Sequence, residues 1–512
     1  MSGGTGEPPA PASAPFRSFA ELILDRAMVE PDAVLVADRE HEVTCAEFAA
    51  LTYRLAGALD REGLKRGGVL AILAAISPEA LAVRCAAALL GATTMFCPNK
   101  GSDAGLRSLL AGIGADALIV FPQTAAAGTA AIASGCTTRV MSIGAVTGIE
   151  VDLLTVGNAM AEGPIPSRAQ PGDLGVLVSS GGTTGESKAS RRSFAAWGPN
   201  VDVGPLRDRR QLVCMPLAYV SQVLTEQVLV GGGTVVLCDR FEPGLVLEAI
   251  ERHRITHVGL VEPGLVELID HPDFVRRDVS SLVAVSHIGA DAPANLRRRL
   301  LERAGPILVH PYGASEAGIV SVLAPPDYDL CHPELLATAG RVLPGVELRI
   351  ELSDGSQAPP GAEGAIVVRS PAAADGYAVD PARSAFRRGD YHTGDLGLLD
   401  PGGYLHVRGR AADAREIEGE TVLPLDVANA LCAHPEVRYA VAVPAGRRFS
   451  AIVTLAPGSA LGAPDLAQFV RDRDGESLVP EAVLVADRIP TTEQGKPNRA
   501  AITSALARTA GT

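Results

Sequence analysis

The feature that most constrains the fold of this chain is a repeated alternation of short apolar runs with longer Ala-, Leu- and Arg-rich stretches. AVLVAD (33–38) precedes the helical pattern CAEFAALTYRLAGALDREGL (45–64), and GVLAIL (68–73) precedes SPEALAVRCAAALLGA (77–92), with ADALIVF (115–121) after it. Apolar strands that alternate with helices are typical of parallel sheets with helices on both faces. The sequence therefore predicts an α/β fold with doubly covered sheets.

The pattern changes near residue 336, where strand–turn–strand segments replace the alternation. TAGRVLPGVELRIELSDG and GAIVVRSPAAADGY predict a small β-rich subdomain. After GYLHVRGR (403–410) helical and strand patterns alternate over a shorter span, among them a predicted helix over 426–437. We therefore predict a disordered tail (1–15), a large N-terminal domain (16–409) and a small α+β C-terminal domain (410–512).

Composition excludes several classes of function. With 45 Lys+Arg against 59 Asp+Glu the formal net charge is −14, which disfavours a general nucleic-acid binder. The eight cysteines form no CxxC pair, which argues against a zinc site or a disulfide framework and suits reduced thiols. No apolar run reaches the roughly 18–20 residues of a membrane helix, and no signal-peptide pattern opens the chain. We expect a cytoplasmic protein without nucleic-acid or membrane partners.

A Gly-rich loop follows an apolar strand in VLVSSGGTTGESKAS (176–190). Consecutive backbone N–H groups in such a loop can converge on an anion, and Lys188 adds a positive charge. Lysine is rare here, occurring only at 65, 100, 188 and 496, so a retained Lys is expected to need a compact, mobile ammonium. The spacing excludes a Walker loop, and a flexible surface loop stays an alternative. The candidate phosphate-binding residues are Ser180, Gly181, Gly182, Thr183, Thr184, Gly185 and Lys188.

Three later segments carry further polar candidates. PYGASEAG (311–318) contains Ser315 and Glu316, YHTGDLG (391–397) contains Asp395, and PTTEQGKPNRAAI (490–502) contains Lys496. Each segment alone is also compatible with an ordinary turn or a solvated surface.

Taken in order, these segments resemble the adenylate-forming superfamily of acyl- and aryl-CoA synthetases, non-ribosomal peptide adenylation domains and firefly luciferase. SGGTTGESKA, PYGASEAG, YHTGDLG and PTTEQGKPNR are similar to that family's motifs, as is GRAADAREIEGETVLPLDV (409–427). Gly181 in the loop looks most like aryl-acid ligases. The resemblance implies that a carboxylic acid is activated by ATP and Mg²⁺ as acyl-AMP and then transferred to coenzyme A.

The resemblance also implies roles for single residues. Lys496, Ser315 and Glu316 would be catalytic, with Lys496 between the substrate carboxylate and the α-phosphate, and Glu316 would help to hold Mg²⁺. Asp395 would accept the ribose hydroxyls. The remaining nucleotide- and CoA-binding candidates are Gly289, Ala290, Asp291, Tyr312, Gly313, Arg410 and Gly419. In this family the C-terminal domain is mobile: it rotates about a hinge near 409–413, which exchanges Lys496 for the Gly419 region.

The resemblance places an acyl pocket at seven positions and suggests an aromatic or cyclic acid. We also expect His287 to be a packed residue rather than a base. The positions are Tyr219, Val220, Thr225, His287, Ile288, Pro311 and Ala317.

We expect an acid–CoA ligase of specialised metabolism, monomeric or homodimeric. Departures from the family pattern, such as Ser187, Ala189 and Ala412, put one half-reaction in doubt. Alternatives are therefore a ligase acting on a supplied acyl-adenylate, a carrier-protein-loading or amide-forming ligase, a non-catalytic acyl- or nucleotide-binding relative, and a luciferase-like oxygenase.

Overall fold

The computed structural model describes residues 15–99, 103–136, 138–180, 188–218, 220–289, 292–325, 327–328, 332–379 and 385–509. Except for residue 15, the predicted disordered tail lies outside these described residues. No described helix is both long enough and apolar enough to cross a membrane.

The first two-thirds of the chain alternates strands and helices as predicted. Its strands are β1 (Val34–Ala37), β2 (Glu42–Thr44), β3 (Val69–Leu73), β4 (Thr93–Phe96), β5 (Ala117–Val120), β6 (Arg139–Ser142), β7 (Leu174–Ser180), β8 (Lys188–Ser193), β9 (Arg210–Val213), β10 (Thr234–Leu237), β11 (His257–Leu260), β12 (Ala284–His287), β13 (Leu308–Ala314), β14 (Gly318–Leu323) and β15 (Arg341–Val342). Its helices are α1 (Phe19–Val29), α2 (Cys45–Arg61), α3 (Pro78–Leu89), α4 (Asp103–Ile113), α5 (Ala125–Ala133), α6 (Leu153–Gly157), α7 (Phe194–Val201), α8 (Val220–Val230), α9 (Pro243–His253), α10 (Glu262–Asp270) and α11 (Ala294–Ala304).

These strands form two mainly parallel sheets. The six-stranded sheet has the order β6-β5-β3-β4-β7-β8, and only its edge pair β7–β8 is antiparallel. The nine-stranded sheet has the order β15-β14-β13-β12-β11-β9-β10-β1-β2, with parallel pairing from β13 to β1 and antiparallel strands at both edges. The predicted α/β fold is confirmed.

Both faces of each sheet are buried, as the apolar runs require. In β3, Leu70 and Ile72 pack into one hydrophobic cluster, while Ala71 and Leu73 pack into another. Consecutive side chains of a strand point to opposite faces, so a strand covered on both sides is apolar throughout. This accounts for strands such as VLAIL that show no polar alternation.

Helix starts follow local sequence signals. Ser18 and Glu21 form a capping box at α1, and Thr44 and Glu47 form another at α2. In each, the hydroxyl accepts a backbone N–H of the first turn, and the carboxylate accepts the N-cap N–H, which satisfies two donors that the helix leaves free.

The rest of the chain forms the predicted β-rich subdomain and α+β region. The strands are β16 (Glu347–Glu351), β17 (Gly364–Arg369), β18 (Phe386–Arg387), β19 (Asp390–Leu399), β20 (Leu405–Arg410), β21 (Arg415–Ile417), β22 (Glu420–Val422), β23 (Val437–Ala445), β24 (Arg448–Leu455) and β25 (Val483–Val485), and the helices are α12 (Pro424–Cys432), α13 (Ala463–Asp474) and α14 (Arg499–Thr509). β16 to β20 make an antiparallel sheet, and β23 to β25 a second one with one parallel pair.

The predicted helix over 426–437 is shorter than expected. α12 ends at Cys432, and β23 starts at Val437. Pro435 explains the difference, because proline lacks an N–H and disfavours the helical conformation of the residue before it.

Candidate active site

The antiparallel pair β13–β14 carries the PYGASEAG segment. Tyr312 and Gly313 lie on β13, and the turn into β14 holds Ser315 and Glu316. Gly313 allows a close approach here, because a Cβ at this position would lie 2.3 Å from the Gly318 carbonyl oxygen. The hairpin therefore folds tightly and buries Glu316 at its turn.

Asp395 and Arg410 lie opposite each other across β19–β20. Arg410 Nε is 3.1 Å from Asp395 Oδ1, and the Tyr312 hydroxyl donates to Oδ2 at 2.7 Å. Burial raises the pKa of Asp395, an effect that Arg410 and the Tyr312 hydrogen bond oppose. Asp395, predicted to accept the ribose hydroxyls, and Tyr312, another predicted nucleotide-binding residue, are thus in direct contact.

The Ser315–Glu316 turn is held by residues that the sequence motifs did not identify. The Tyr377 hydroxyl donates to Glu316 Oε1 at 2.8 Å. The Ser315 carbonyl oxygen accepts hydrogen bonds from Arg192 Nη2 at 2.6 Å and from the Ser190 hydroxyl at 3.1 Å. Burial lowers the pKa of Arg192 to about 10. No strand or motif was predicted around Arg192, so the sequence carried no signal of this role.

Lys496 reaches the same site from the C-terminal part of the chain. Its Cε lies 3.0 Å from the position that a Cβ would take at Gly289, whose φ is +108°. Glycine at 289 therefore leaves room for the lysine stem. Burial lowers the pKa of Lys496, Glu262 and Glu316 raise it, and Arg410 lowers it further. Lys496 therefore lies within electrostatic range of Glu316 and Arg410, two residues of the predicted site.

Glu262, a buried carboxylate that the motifs missed, is close enough to this lysine to raise its pKa. Glu262 comes two residues after the end of β11, and His287 is the last residue of the adjacent parallel strand β12. Both side chains are 0% exposed. His287 Nε2 is 2.7 Å from Glu262 Oε1. His287 is a packed strand-end residue, as expected, but its Nδ1 and Glu262 Oε2 have no hydrogen-bond partner among the described residues. A lone acidic residue at the end of an apolar strand, GLVEP, was the available signal.

The described pocket candidates lie in two groups. Val220 and Ile288 line one small cavity together with Leu224 and Gly259. Thr225 is fully buried and donates its hydroxyl to the Ser221 carbonyl at 2.7 Å. Thr225 does not line this cavity, which is small and mostly apolar.

The other pocket candidates lie on the strands around the PYGASEAG hairpin. His287 ends β12, and Pro311 is half-buried on β13. Ala317 is fully buried and packs into the core of the β-rich subdomain with Tyr391 and Ile366.

Several predicted site residues cannot be placed, and one lies apart. Gly181 to Gly185, Tyr219, Ala290 and Asp291 lie outside the described residues, as do the side chains of Ser180 and Lys188. Gly419 is exposed at the turn of the β21–β22 hairpin, with no atom within 4 Å of where its Cβ would lie. It is not part of the cluster around Lys496 in this conformation.

Comparison with known protein families decides the relationship. The family model described as AMP-binding enzyme matches residues 24–378, more than half of the chain. The chain belongs to the family of AMP-binding enzymes. A second model, the AMP-binding enzyme C-terminal domain, matches residues 426–496. The resemblance to the adenylate-forming superfamily is thereby confirmed.

Relatives of this family member include ligases with different acceptors. A feruloyl-CoA synthase from Amycolatopsis is 32% identical over 92% of this chain and 95% of its own length. An indoleacetate–CoA ligase from Aromatoleum aromaticum is 31% identical, with 96% and 98% covered. The solved structure of an amide bond synthetase from Marinactinospora thermotolerans is 31% identical, with a TM-score of 0.84 over 95% of this chain and 99% of that chain.

Proposed function

We propose that the protein is an ATP-dependent acid–CoA ligase, which activates an acyl or aryl carboxylic acid as acyl-AMP and transfers it to the thiol of coenzyme A. The observation that carries the proposal is the position of Lys496 among Glu262, Glu316 and Arg410, next to the Asp395–Tyr312 pair. The two CoA ligases named above support the thiol as acceptor.

The described residues fit a nucleotide. Asp395 is a half-buried carboxylate, an acceptor-only group suited to two ribose hydroxyls. It accepts a hydrogen bond from Tyr312, which would stack on the adenine. The Gly-rich loop and Lys188 would bind the phosphates. Gly289 and Gly313 would border the adenine base.

The site also fits Mg²⁺ bound chiefly through phosphate oxygens. Glu316 has one carboxylate oxygen engaged by Tyr377, and no group of three His, Cys, Asp or Glu side chains suited to a metal occurs among the described residues. Mg²⁺ prefers few protein ligands plus phosphate and water oxygens. Glu316 would supply the protein ligand, and the bound ion would neutralise phosphate charge.

Lys496 would perform the central electrostatic step. Attack of a carboxylate on a phosphate brings two anions together, so a fixed cation between them stabilises the charge that develops. Ser315 would contact the α-phosphate from the turn held by Arg192. No proton transfer is required of Lys496, which acts as an ammonium throughout.

We place the boundary between the two domains at 409/410. The turn Ala411–Asp413 follows β20 directly, and Asp413 pairs with Arg499 at 2.5 Å, three residues after Lys496. Rotation of 410–512 as a body would withdraw Lys496 and bring the exposed Gly419 hairpin toward the site for thioester formation.

The substrate acid is proposed to be aromatic or cyclic, as the names of the feruloyl-CoA synthase and indoleacetate–CoA ligase relatives suggest, and the small cavity beside Val220 and Ile288 is mostly apolar. We place the enzyme in the cytoplasm, as a monomer or homodimer.

A carrier-protein thiol is an alternative acceptor. The amide bond synthetase relative favours an amine as a second candidate acceptor.

A mass-resolved assay tests the activity. The protein is incubated with ATP, Mg²⁺, one acid from a panel of hydroxycinnamic, benzoic and indoleacetic acids, and either CoA or an amine. Acyl-CoA with AMP supports the proposal, and amide with AMP supports the second candidate. No thioester with any acid, even from supplied acyl-adenylates, rejects the ligase proposal.

The variant Lys496→Ala separates the two half-reactions. We expect adenylate formation, measured as pyrophosphate release, to fall by about two orders of magnitude or more, because the charge at the reacting groups is lost. Thioester formation from a supplied adenylate should persist. Lys65→Ala is the matched control, since Lys65 is exposed and pairs with Asp60 at 2.9 Å. Equal loss of both half-reactions in Lys496→Ala would contradict its assigned role.

A further inference from the structure

A chain of buried polar side chains leads from the protein interior to the Lys496 site. Arg297 Nη2 lies 3.0 Å from His310 Nε2, and His310 Nδ1 lies 3.1 Å from the His287 carbonyl oxygen. Arg297 can only donate, so His310 accepts at Nε2 and donates from Nδ1. Burial and Arg297 keep the pKa of His310 well below its usual value. His310 is therefore a neutral, oriented ring.

His287 continues this chain to Glu262. Its ring stacks on His310 with centroids 4.7 Å apart and planes inclined by 17°. It donates from Nε2 to Glu262 Oε1 at 2.7 Å. A buried carboxylate with a single hydrogen bond is costly, and Glu262 Oε2 has no partner among the described residues.

The turn that carries Gly495 and Lys496 packs directly on the start of α10. A Cβ at Gly495 would lie 3.7 Å from Val261 Cβ. A Cβ at Gly289 would lie 3.0 Å from Lys496 Cε and 3.7 Å from Val261 Cγ2. The lysine side chain and Val261, the residue that precedes Glu262, therefore both pack against Gly289, two positions after His287.

We infer that Glu262, held by His287, is the fixed counter-ion of Lys496 and positions its ammonium for adenylate formation. This inference rests on the proposed function. Glu316 is assigned to Mg²⁺ and Asp395 to the ribose, so Glu262 is the one described carboxylate of the cluster that stays free for the lysine. Glu262 is a positioning residue: it acts through Lys496 and touches no reacting atom.

The charges that face Lys496 set the expected pH dependence. Burial and Arg410 lower the pKa of Lys496, while Glu262 and Glu316 raise it. The ammonium is the active form, so adenylate formation is lost as the pH rises through the pKa of Lys496. Removing the Glu262 charge lowers that pKa, and the alkaline limb of the rate profile moves to lower pH.

Glu262→Gln in the full-length protein tests the inference, with an acid that the wild type adenylates, such as ferulic or indoleacetic acid. We expect the rate of pyrophosphate release to fall about ten- to hundredfold. The alkaline limb of its pH–rate profile should lie at lower pH than in the wild type. Thioester formation from a supplied acyl-adenylate should be unchanged, since Lys496 is not used there. An unshifted limb, or equal loss of both half-reactions, overturns the inference.

Two further variants complete the test. Glu226→Gln alters another buried carboxylate, which pairs with Arg84 and accepts from Trp197 at 2.7 Å, and it should lower stability without moving the limb. If Glu262→Gln does not fold, His287→Phe replaces it, because a phenyl ring keeps the stacking on His310 but removes the donor that holds Glu262 Oε1. The limb should again move to lower pH, and an unmoved limb overturns the inference.

The outcomes separate this inference from the proposed function. Absence of adenylate with every acid in the wild type rejects the function itself. A wild type that forms adenylate, with variants that keep its pH profile, rejects only the role of Glu262.

Discussion

Burial alters the acid–base chemistry of single residues in this site. It raises the pKa of Asp395 and of Tyr312, and it lowers that of Lys496. In each case the charged form loses hydration, and nearby opposite charges restore part of the loss. The site therefore depends on pairs such as Asp395 and Arg410, in which one charge keeps the other ionised.

At the scale of one residue, Asp395 predicts a pH dependence of nucleotide binding. The carboxylate is the accepting form, so AMP affinity should weaken as the pH falls through its raised pKa, at a higher pH than for an ordinary aspartate. Asp395→Asn should weaken binding about tenfold or more and remove this dependence, because a hydrogen bond to a charged group is lost. Isothermal calorimetry across pH measures both.

Asp60→Asn is the control for that experiment. Asp60 lies outside the site and pairs with Arg168 and Lys65, which lower its pKa to about 2. AMP binding by this variant should match the wild type. A wild-type affinity that stays constant down to the pH at which ordinary aspartates protonate would contradict the prediction.

At the scale of elements, strand β8 braces the turn that carries Ser315 and Glu316. Arg192 is 1% exposed and donates to the carbonyl oxygens of Ser315 at 2.6 Å and Ala372 at 3.0 Å. The bond to Ser315 ties the six-stranded sheet to the β13–β14 hairpin of the other sheet, and the bond to Ala372 ties it to the segment after β17. The turn is thus positioned by an element far from it in sequence.

Arg192→Met should damage both stability and adenylate formation. It removes one of the two donors of each carbonyl oxygen, because the Ser190 hydroxyl still reaches Ser315 and the Asn200 amide still reaches Ala372. The cost is about 0.5–1.5 kcal/mol for each hydrogen bond lost. We expect a lower denaturant midpoint and slower pyrophosphate release. Arg191→Met is the matched control, because Arg191 is the exposed neighbour on the same strand. Equal effects of the two variants would argue against a bracing role.

At the scale of the whole molecule, ion pairs and hydrogen bonds hold the C-terminal region against the N-terminal domain. Arg488 Nη2 lies 2.8 Å from both carboxylate oxygens of Glu267, and the Asn99 backbone N–H donates to Glu493 at 2.8 Å. Glu493 belongs to the same turn as Lys496. These contacts therefore stabilise the arrangement in which Lys496 occupies the site.

Arg488→Glu should favour withdrawal of Lys496. Exposed pairs contribute about 0.2–1 kcal/mol, so we expect adenylate formation to fall about two- to fivefold, while thioester formation from a supplied adenylate does not fall. Adding Glu267→Arg should restore the pair and the rate. Pyrophosphate release and thioester formation, measured in parallel, check this. A double variant as slow as Arg488→Glu would show that the pair does not act through domain position.

The sequence by itself determined the layers of the fold and the residues of the motifs. Apolar strands alternating with helices specify doubly covered sheets, and capping pairs such as Thr44 and Glu47 specify helix starts, because these signals act over a few neighbouring residues. Asp395, Glu316 and Lys496 were predicted as site residues for the same reason, since each stands in a short segment that resembles the family.

Only the tertiary structure decided which charges meet. Glu262, Arg192 and Tyr377 stand in segments that look ordinary, and their partners His287, Ser315 and Glu316 are distant along the chain. The sequence does not show whether a charged residue is buried or exposed in the folded protein. The cost of burying a charge, and therefore its use, depends on partners that folding brings within hydrogen-bond distance.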